Sequence, residues 1–226
     1  MRTAAILPVK RFSHAKQRLG AGVGERLRGD LARAMVSDVL ETLRQIRLID
    51  QTIVITSEPS VARSAREQGA SVLADSSQAG QSAAVSLGIA HALTQGFQRA
   101  LCVPGDCPAL DPDELEDLLS RQPQAPTVLV IPDRHGSGTN GLLLVPPDAI
   151  APSFGPDSCA RHLELARVAG VQCSTTRPQS LLLDVDTRED LDLLRERLSS
   201  AGTRAPRTRA ALGLSTASWP LSPPAA

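Results

Sequence analysis

Aromatic residues are nearly absent from this chain, with three phenylalanines, one tryptophan and no tyrosine making up 2% of 226 residues. That excludes the stacking platform on which single-stranded nucleic acids are held, and leaves Leu, Val, Ile and Ala to fill the interior. An excess of either charge is lacking too, since 24 Lys and Arg balance 24 Asp and Glu. Without a positive field to draw in a phosphate backbone, nucleic acid is not an expected partner. No apolar run reaches the ~18 residues of a membrane span. The start, MRTAAILPVK, has only a short apolar stretch, interrupted by Pro8 and Lys10, which makes a poor secretory signal. The expectation is a cytoplasmic protein with no membrane partner. The four cysteines (Cys102, Cys107, Cys159, Cys173) have neither the spacing of metal-ligand pairs nor the density of a disulfide framework, so reduced and mostly buried thiols are expected.

What is present is alternation. Hydrophobic residues at 42% against 21% charged suit a globular interior. Residues 3–9 read as a strand, and KRFSHAKQRLGAGVG behind it is too basic and glycine-rich to continue it. From Glu25 to Arg47 apolar residues recur at three and four, an amphipathic helix. Strands at 52–57, 71–74, 100–104, 127–131 and 141–145 then alternate with helices at 59–68, 83–95, 112–120 and 158–168. SLLLDVDT is read as a further strand running into the last helix, 188–198. Short apolar strands separated by helices require a mostly parallel sheet covered on both faces, a three-layer α/β/α sandwich. Ligands of such sheets lie outside the carboxyl ends of the strands, so the loops after residues 9, 57, 104 and 131 are expected to line one cleft. Residues 1–198 make one domain. The Ala-, Ser-, Pro- and Arg-rich 199–226 has no periodicity and is expected to be a disordered tail, which leaves Trp219 outside core and site. An exposed sheet edge would give such a chain a route to a homodimer.

Four segments carry chemistry. The first loop places Lys10, Arg11, Lys16 and Arg18 directly after a strand, with Gly20, Gly22 and Gly24 behind. Several cations on a pliable backbone suit a triphosphate, with Lys10, Lys16 and Arg18 as contacts; a solvated basic loop is the competing reading. No GxxxxGK[ST] pattern occurs, which disfavours the P-loop class of nucleotide hydrolysis. In CVPGDCPAL, Gly105, a candidate nucleotide contact, and Asp106 follow a hydrophobic strand between two prolines, so the Asp106 carboxylate is held at the sheet edge, either for magnesium or as a turn cap. In LLLDVDT, alternation puts Asp184 and Asp186 on one side and Val185 on the other, while Thr187 and Asp190 have capping-box spacing. A cation among Asp106, Asp184 and Asp186 would relieve repulsion between three carboxylates. A purely structural origin for all three is the alternative.

The fourth segment, DRHGSGTNGLLL with FGPDSCARH, offers Thr139, Asn140 and, at a helix start suited to anions, Ser158, with Arg161 and His162 one turn on. His162 is read as packing on the helix surface and His135 as a loop residue; neither has the partners of a triad or a zinc site. Gly80, Gln81 and Ser82 precede another helix, where they could read a purine edge or ribose hydroxyls.

Taken in order, PVKRFSHAKQRL, VPGDCPAL, DRHGSGTNGLLL with FGPDSCARH, and LDVDT resemble the 2-phospho-L-lactate and phosphoenolpyruvate guanylyltransferases, over about residues 3 to 198. The resemblance implies a nucleotidyltransferase of Rossmann-like type with a mixed, mostly parallel sheet. It implies transfer of GMP from GTP to a small phosphorylated three-carbon acid, in the synthesis of the deazaflavin coenzyme F-420. By the same resemblance Lys10, Lys16 and Arg18 belong to the triphosphate loop, Asp106, Asp184 and Asp186 to magnesium, and Thr139, Asn140, Gly155 and Ser158 to the phosphate and carboxylate of the acceptor. The family usually has glycine, an apolar residue and asparagine where this chain has Gly80, Gln81 and Ser82. Two other readings are a nucleotidyltransferase acting on molybdopterin or a sugar phosphate, which usually begins with a glycine-dense first loop, and a nucleotide-binding protein without catalysis.

Overall fold

The computed structural model describes residues 1–12, 24–121, 126–200 and 204–214. Its elements, in chain order, are β1 (Thr3–Val9), α1 (Glu25–Gln45), β2 (Gln51–Thr56), α2 (Pro59–Glu67), β3 (Ser71–Ala74), α3 (Gln81–Thr94), β4 (Arg99–Cys102) and α4 (Pro112–Ser120). There follow β5 (Thr127–Pro132), β6 (Thr139–Val145), α5 (Ser158–Val168), β7 (Gln172–Thr175), a 3-10 turn at Gln179–Leu181, α6 (Arg188–Ser200) and α7 (Pro206–Ala211).

Seven strands form one sheet in the order β3-β2-β1-β4-β6-β5-β7. All neighbours are parallel except β6, which runs antiparallel to both β4 and β5. The sheet is therefore mixed and mostly parallel, as expected. Period-two alternation sorts the core: Ala5, Leu7 and Val9 of β1 pack with α1, α2 and α4, while Ala4 and Ile6 pack with α3 on the other face, where α5 also lies. On that face α3 lies so close that a Cβ on Gly88 would sit 2.7 Å from Ile6 Cγ2.

Because β6 is reversed, its first residues share an edge with the last residues of β4 and β5. Cys102 pairs with Leu142, and Pro132 with Thr139. The chain winds from β1 out to β3 and returns to β4 on the other side of β1, so the crevice outside β1 and β4 is the switch point at which such sheets bind ligands. Beside that edge lies a third core, made by Leu31 and Met35 of α1, Ala109, Leu183, Val185 and the apolar face of α6.

Two expectations are corrected. SLLLDVDT is not a strand: only its first residues turn, as 3-10, and Leu183 to Thr187 pair with no strand among the described residues. Leu181, Leu183 and Val185 are buried in cores beside the sheet instead of within it, and Leu182 is half-buried. β7 takes the sheet edge in its place. The folded chain also extends past residue 198, since α6 continues to Ser200 and α7 packs on α1. Asp38, buried within α1, accepts from Arg207 N at 3.2 Å and Thr208 N at 2.7 Å and so caps α7. Residues 215–226, including Trp219, lie outside the described residues. All four cysteines are free, with Cys102, Cys107 and Cys159 buried. No described helix is long and apolar enough to cross a membrane.

The cap on α7 is testable. Asp38→Ala is expected to lower the unfolding free energy by about 1–3 kcal/mol, the range for a lost cap and stranded buried donors, in urea titration. An unchanged midpoint would show that α7 is not held by this contact.

Candidate active site

At the switch-point edge the chain leaves β1 through Lys10 and Arg11, both exposed. Phe12 N–H donates to Glu58 Oε2 at 3.3 Å, pinning the start of the basic loop to the residue that caps α2. Lys16 and Arg18 lie outside the described residues, so of the three cations expected on the triphosphate only Lys10 is described.

Next to it the chain leaves β4 through Val103 to Leu110. A Cβ on Gly105 would meet Val36 Cγ2 of α1 at 2.9 Å, so this glycine, expected as a nucleotide contact, has a packing reason to be glycine. Asp106 is half-buried, and its backbone carbonyl accepts from Val185 N at 3.1 Å. That bond brings LLLDVDT against the β4 loop. Val185 is fully buried in the third core, while Asp184 and Asp186 are half-buried, so the expected alternation of carboxylates survives without a sheet partner. The capping box is also present: Thr187 N donates to Asp190 Oδ2 at 2.7 Å and Asp190 N to Thr187 Oγ1 at 3.2 Å.

The charge of Asp184 is opposed by its surroundings. Burial raises its pKa above the usual carboxylate value; the charge of Asp106 and, more weakly, that of Asp186 push the same way, and a hydrogen bond from Asn140 partly opposes them. Asn140 is buried, and its Nδ2 donates to Leu181 O at 2.9 Å and to Asp184 Oδ1 at 3.0 Å. Expected as an acceptor contact, it uses both amide protons on the acidic segment. Among the described residues no three His, Cys, Asp or Glu side chains make a ready metal cage. Magnesium seldom needs one, since it is commonly held by one or two carboxylates together with substrate phosphates.

The segments expected to bind the acceptor meet on the far side of Asn140. Thr139, buried, has its Oγ1 3.0 Å from His162 Nδ1, and Ser153 N donates to His162 Nε2 at 2.9 Å. His162 is fully buried, not a surface residue of its helix. Burial, reinforced by the charge of Arg161, lowers its pKa from 6.5 to about 4. Phe154 stands edge-on to its ring at 5.1 Å, and Phe154 N donates to Ser82 Oγ at 2.8 Å. Ser82 thus ties the start of α3 to the loop at Ser153 and Phe154, while Gln81 is half-buried in the first turn. Gly80, with φ +105°, sits where a side chain would be strained.

Ser158 is buried at the first turn of α5, but its amide donates to Gly155 O at 3.1 Å and that of Cys159 to Ser137 O at 3.0 Å. These two amides therefore shape the loop, whose turn at Gly155 has φ +118°. Arg161, expected on the substrate, folds back on the same loop: Nε donates to Ser153 Oγ at 3.1 Å, Nη2 to Ser153 O at 3.1 Å, and Nη1 to Pro156 O. The residues missed in the sequence are Ser153, Phe154 and the role of His162. Helical spacing held a clue, for Ser158, His162 and Ala166 stand four apart and all are buried.

The family described as guanylyl transferase, CofC-like, matches residues 3–212. The chain belongs to this family. The CofC-like match runs through α7, in keeping with a folded chain that passes residue 198. A phosphoenolpyruvate guanylyltransferase of Conexibacter woesei is 49% identical over 213 residues, covering 94% of this chain and 96% of its own. A 3-phospho-D-glycerate guanylyltransferase of Colwellia psychrerythraea is 34% identical over 194 residues, covering 86% and 91%. Among solved structures, a Desulfovibrio desulfuricans G20 protein assigned as a nucleotide-diphospho-sugar transferase superposes with a TM-score of 0.75 at 20% identity, over 94% of this chain and 95% of that one. That likeness establishes the nucleotidyltransferase-like fold.

Two stability measurements follow from these electrostatics. Since the fold raises the pKa of Asp184, its charged form is disfavoured in the native state, and Asp184→Asn is expected to raise the metal-free melting temperature. A lower melting temperature would contradict this. For His162 the folded pKa is depressed, so its contribution is complete above pH 6.5 and is lost as pH falls towards about 4. Urea unfolding at pH 7 and pH 4.5 should show that part of the acid loss, and His162→Phe should remove it; an equal loss in both proteins would contradict it.

Proposed function

We propose that this chain transfers GMP from GTP to the phosphate of phosphoenolpyruvate, releasing pyrophosphate, as a magnesium-dependent step in building the deazaflavin coenzyme F-420. The observation that carries the reading is the convergence of Asp106, Asp184 and Asp186 at the switch-point edge. There Asp184 is held by Asn140 although burial and both neighbouring acids oppose its charge. Acids kept together against their own repulsion fit a divalent cation better than a turn cap. Phosphoenolpyruvate is chosen as acceptor because the Conexibacter woesei relative named for it is 49% identical.

In the proposed reaction an ionised oxygen of the acceptor phosphate attacks the α-phosphorus of GTP. The bond from that phosphorus to the bridging oxygen breaks, and pyrophosphate leaves with the electron pair. No protein nucleophile takes part: burial pushes the Cys102 thiol up to about 12, and His162 has both ring nitrogens engaged. No general base is needed, since the attacking oxygen carries no proton. Lys10, with Lys16 and Arg18, would neutralise the triphosphate, and Thr139, with the loop at Gly155 and Ser158, would orient the acceptor. Magnesium, held by Asp106, Asp184 and Asp186, would screen the two anions from each other and stabilise charge on the phosphates.

The test is pyrophosphate release from GTP with magnesium, in parallel reactions with phosphoenolpyruvate, 2-phospho-L-lactate and 3-phosphoglycerate, and with ATP and CTP as nucleotide controls. Release is expected with GTP and phosphoenolpyruvate. Release with another acid would move the acceptor, and none with any acid would favour a molybdopterin or sugar phosphate, or a protein that only binds nucleotide. Asp106→Asn should slow turnover at least about 100-fold, as when several kcal/mol of charge stabilisation are removed. Matched losses of turnover and stability would instead make Asp106 a structural residue.

A further inference from the structure

The contact between Thr139 and His162 has a direction, and the direction follows from a third group. Ser153 N is 2.9 Å from His162 Nε2. A backbone N–H can only donate, so Nε2 must be the nitrogen without a proton. A neutral imidazole then carries its proton on Nδ1, and Nδ1–H donates to Thr139 Oγ1 across 3.0 Å. The ring is neutral because it is fully buried and its pKa is depressed to about 4.

A threonine hydroxyl has one proton and two lone pairs. With one lone pair occupied by His162, the proton has to point away from the ring, and Thr139 opens β6 at the switch-point edge. The other tautomer would have the opposite effect. It would make Thr139 donate to Nδ1, so that only lone pairs faced outward, and lone pairs repel an anionic oxygen.

We infer that His162 is a positioning residue, held as the Nδ1–H tautomer by Ser153, that turns the Thr139 hydroxyl proton outward to an anionic oxygen of the phosphorylated acid. The same imidazole holds the loop carrying Gly155 through Ser153, so the orientation of the donor and the place of the loop are set together. Arg161 and Ser82 secure the loop from two further sides. The inference rests on the proposed function for the identity of its ligand; the tautomer does not.

Two readouts test it on the full chain. In ¹⁵N-imidazole NMR, His162 is expected as the Nδ1–H tautomer, the minor form of free histidine; an Nε2–H signal would overturn the inference. In steady-state kinetics, Thr139→Val is expected to raise the KM for phosphoenolpyruvate about 10- to 100-fold, the range for a hydrogen bond to a charged group, with the KM for GTP within about twofold. Thr139→Ser should restore most of the loss. His162→Phe should raise the same KM, yet add little in the Thr139→Val background, because it acts through that hydroxyl. Losses that add in the double variant would overturn the inference, as would an unchanged KM in Thr139→Val. If His162→Phe fails to fold, the tautomer and the threonine series still decide it. A wild type that transfers GMP to no acid would end the reading of function, and the inference would then stand or fall on the tautomer and on phosphoenolpyruvate binding by calorimetry of wild type and Thr139→Val.

Discussion

Three carboxylates gathered at one sheet edge repel one another, and the architecture around that edge is arranged to hold them there. Burial and the charges of Asp106 and Asp186 disfavour the ionised form of Asp184. Against this stand the two amide hydrogen bonds of Asn140, the backbone bond from Val185 to Asp106, and a core behind the segment filled by Leu183, Val185, Ala109 and α6. The reversed strand β6 is what makes this feasible: running antiparallel to β4, it brings Asn140 to the edge where a parallel strand would have brought its other end.

From the same two residues of β6 the site divides. Asn140 faces the acidic segment and Thr139 the imidazole of His162, so adjacent positions reach the proposed cation side and the proposed acceptor side of one cleft. The loop proposed to hold the acceptor is fixed by bonds from Ser153, Phe154 and Arg161, which leaves little for a ligand to order on arrival. Family members named for phosphoenolpyruvate and for 3-phospho-D-glycerate match this chain over most of its length. A shared scaffold with a different acceptor is what small changes at such a loop would produce, because one hydrogen bond can separate acids of this size.

The sheet and its covering helices could be read in the sequence because their signals are local. α2, β3, α4 and α5 lie within a residue of their expected limits, since glycine or proline punctuates them and their apolar residues follow a single period. β7 escaped notice because Gln172–Thr175 is an edge strand with no apolar run. SLLLDVDT was legible as buried but not as irregular: three leucines look the same whether they enter a sheet or a core beside it. α7 could not be read at all, because its order comes from Asp38, far away in sequence, and from burial of Ala205 and Thr208. At the candidate site, the half-burial of the acids on either side of Val185 was legible from their alternation. The partners of Asn140, Arg161 and His162 were not, as side-chain hydrogen bonds across tens of residues leave no periodic trace.

The edge acids are proposed to form a cation site shared with the nucleotide. That proposal is tested most directly by titrating Mn²⁺, followed by its paramagnetic resonance, into the chain with a GTP analogue that cannot be cleaved between the α- and β-phosphates. The account predicts a bound ion whose affinity falls about tenfold or more in Asp184→Asn and in Asp186→Asn while both variants stay folded. Mn²⁺ affinity equal to wild type in both variants would contradict it, and would make the acids a structural feature of the fold.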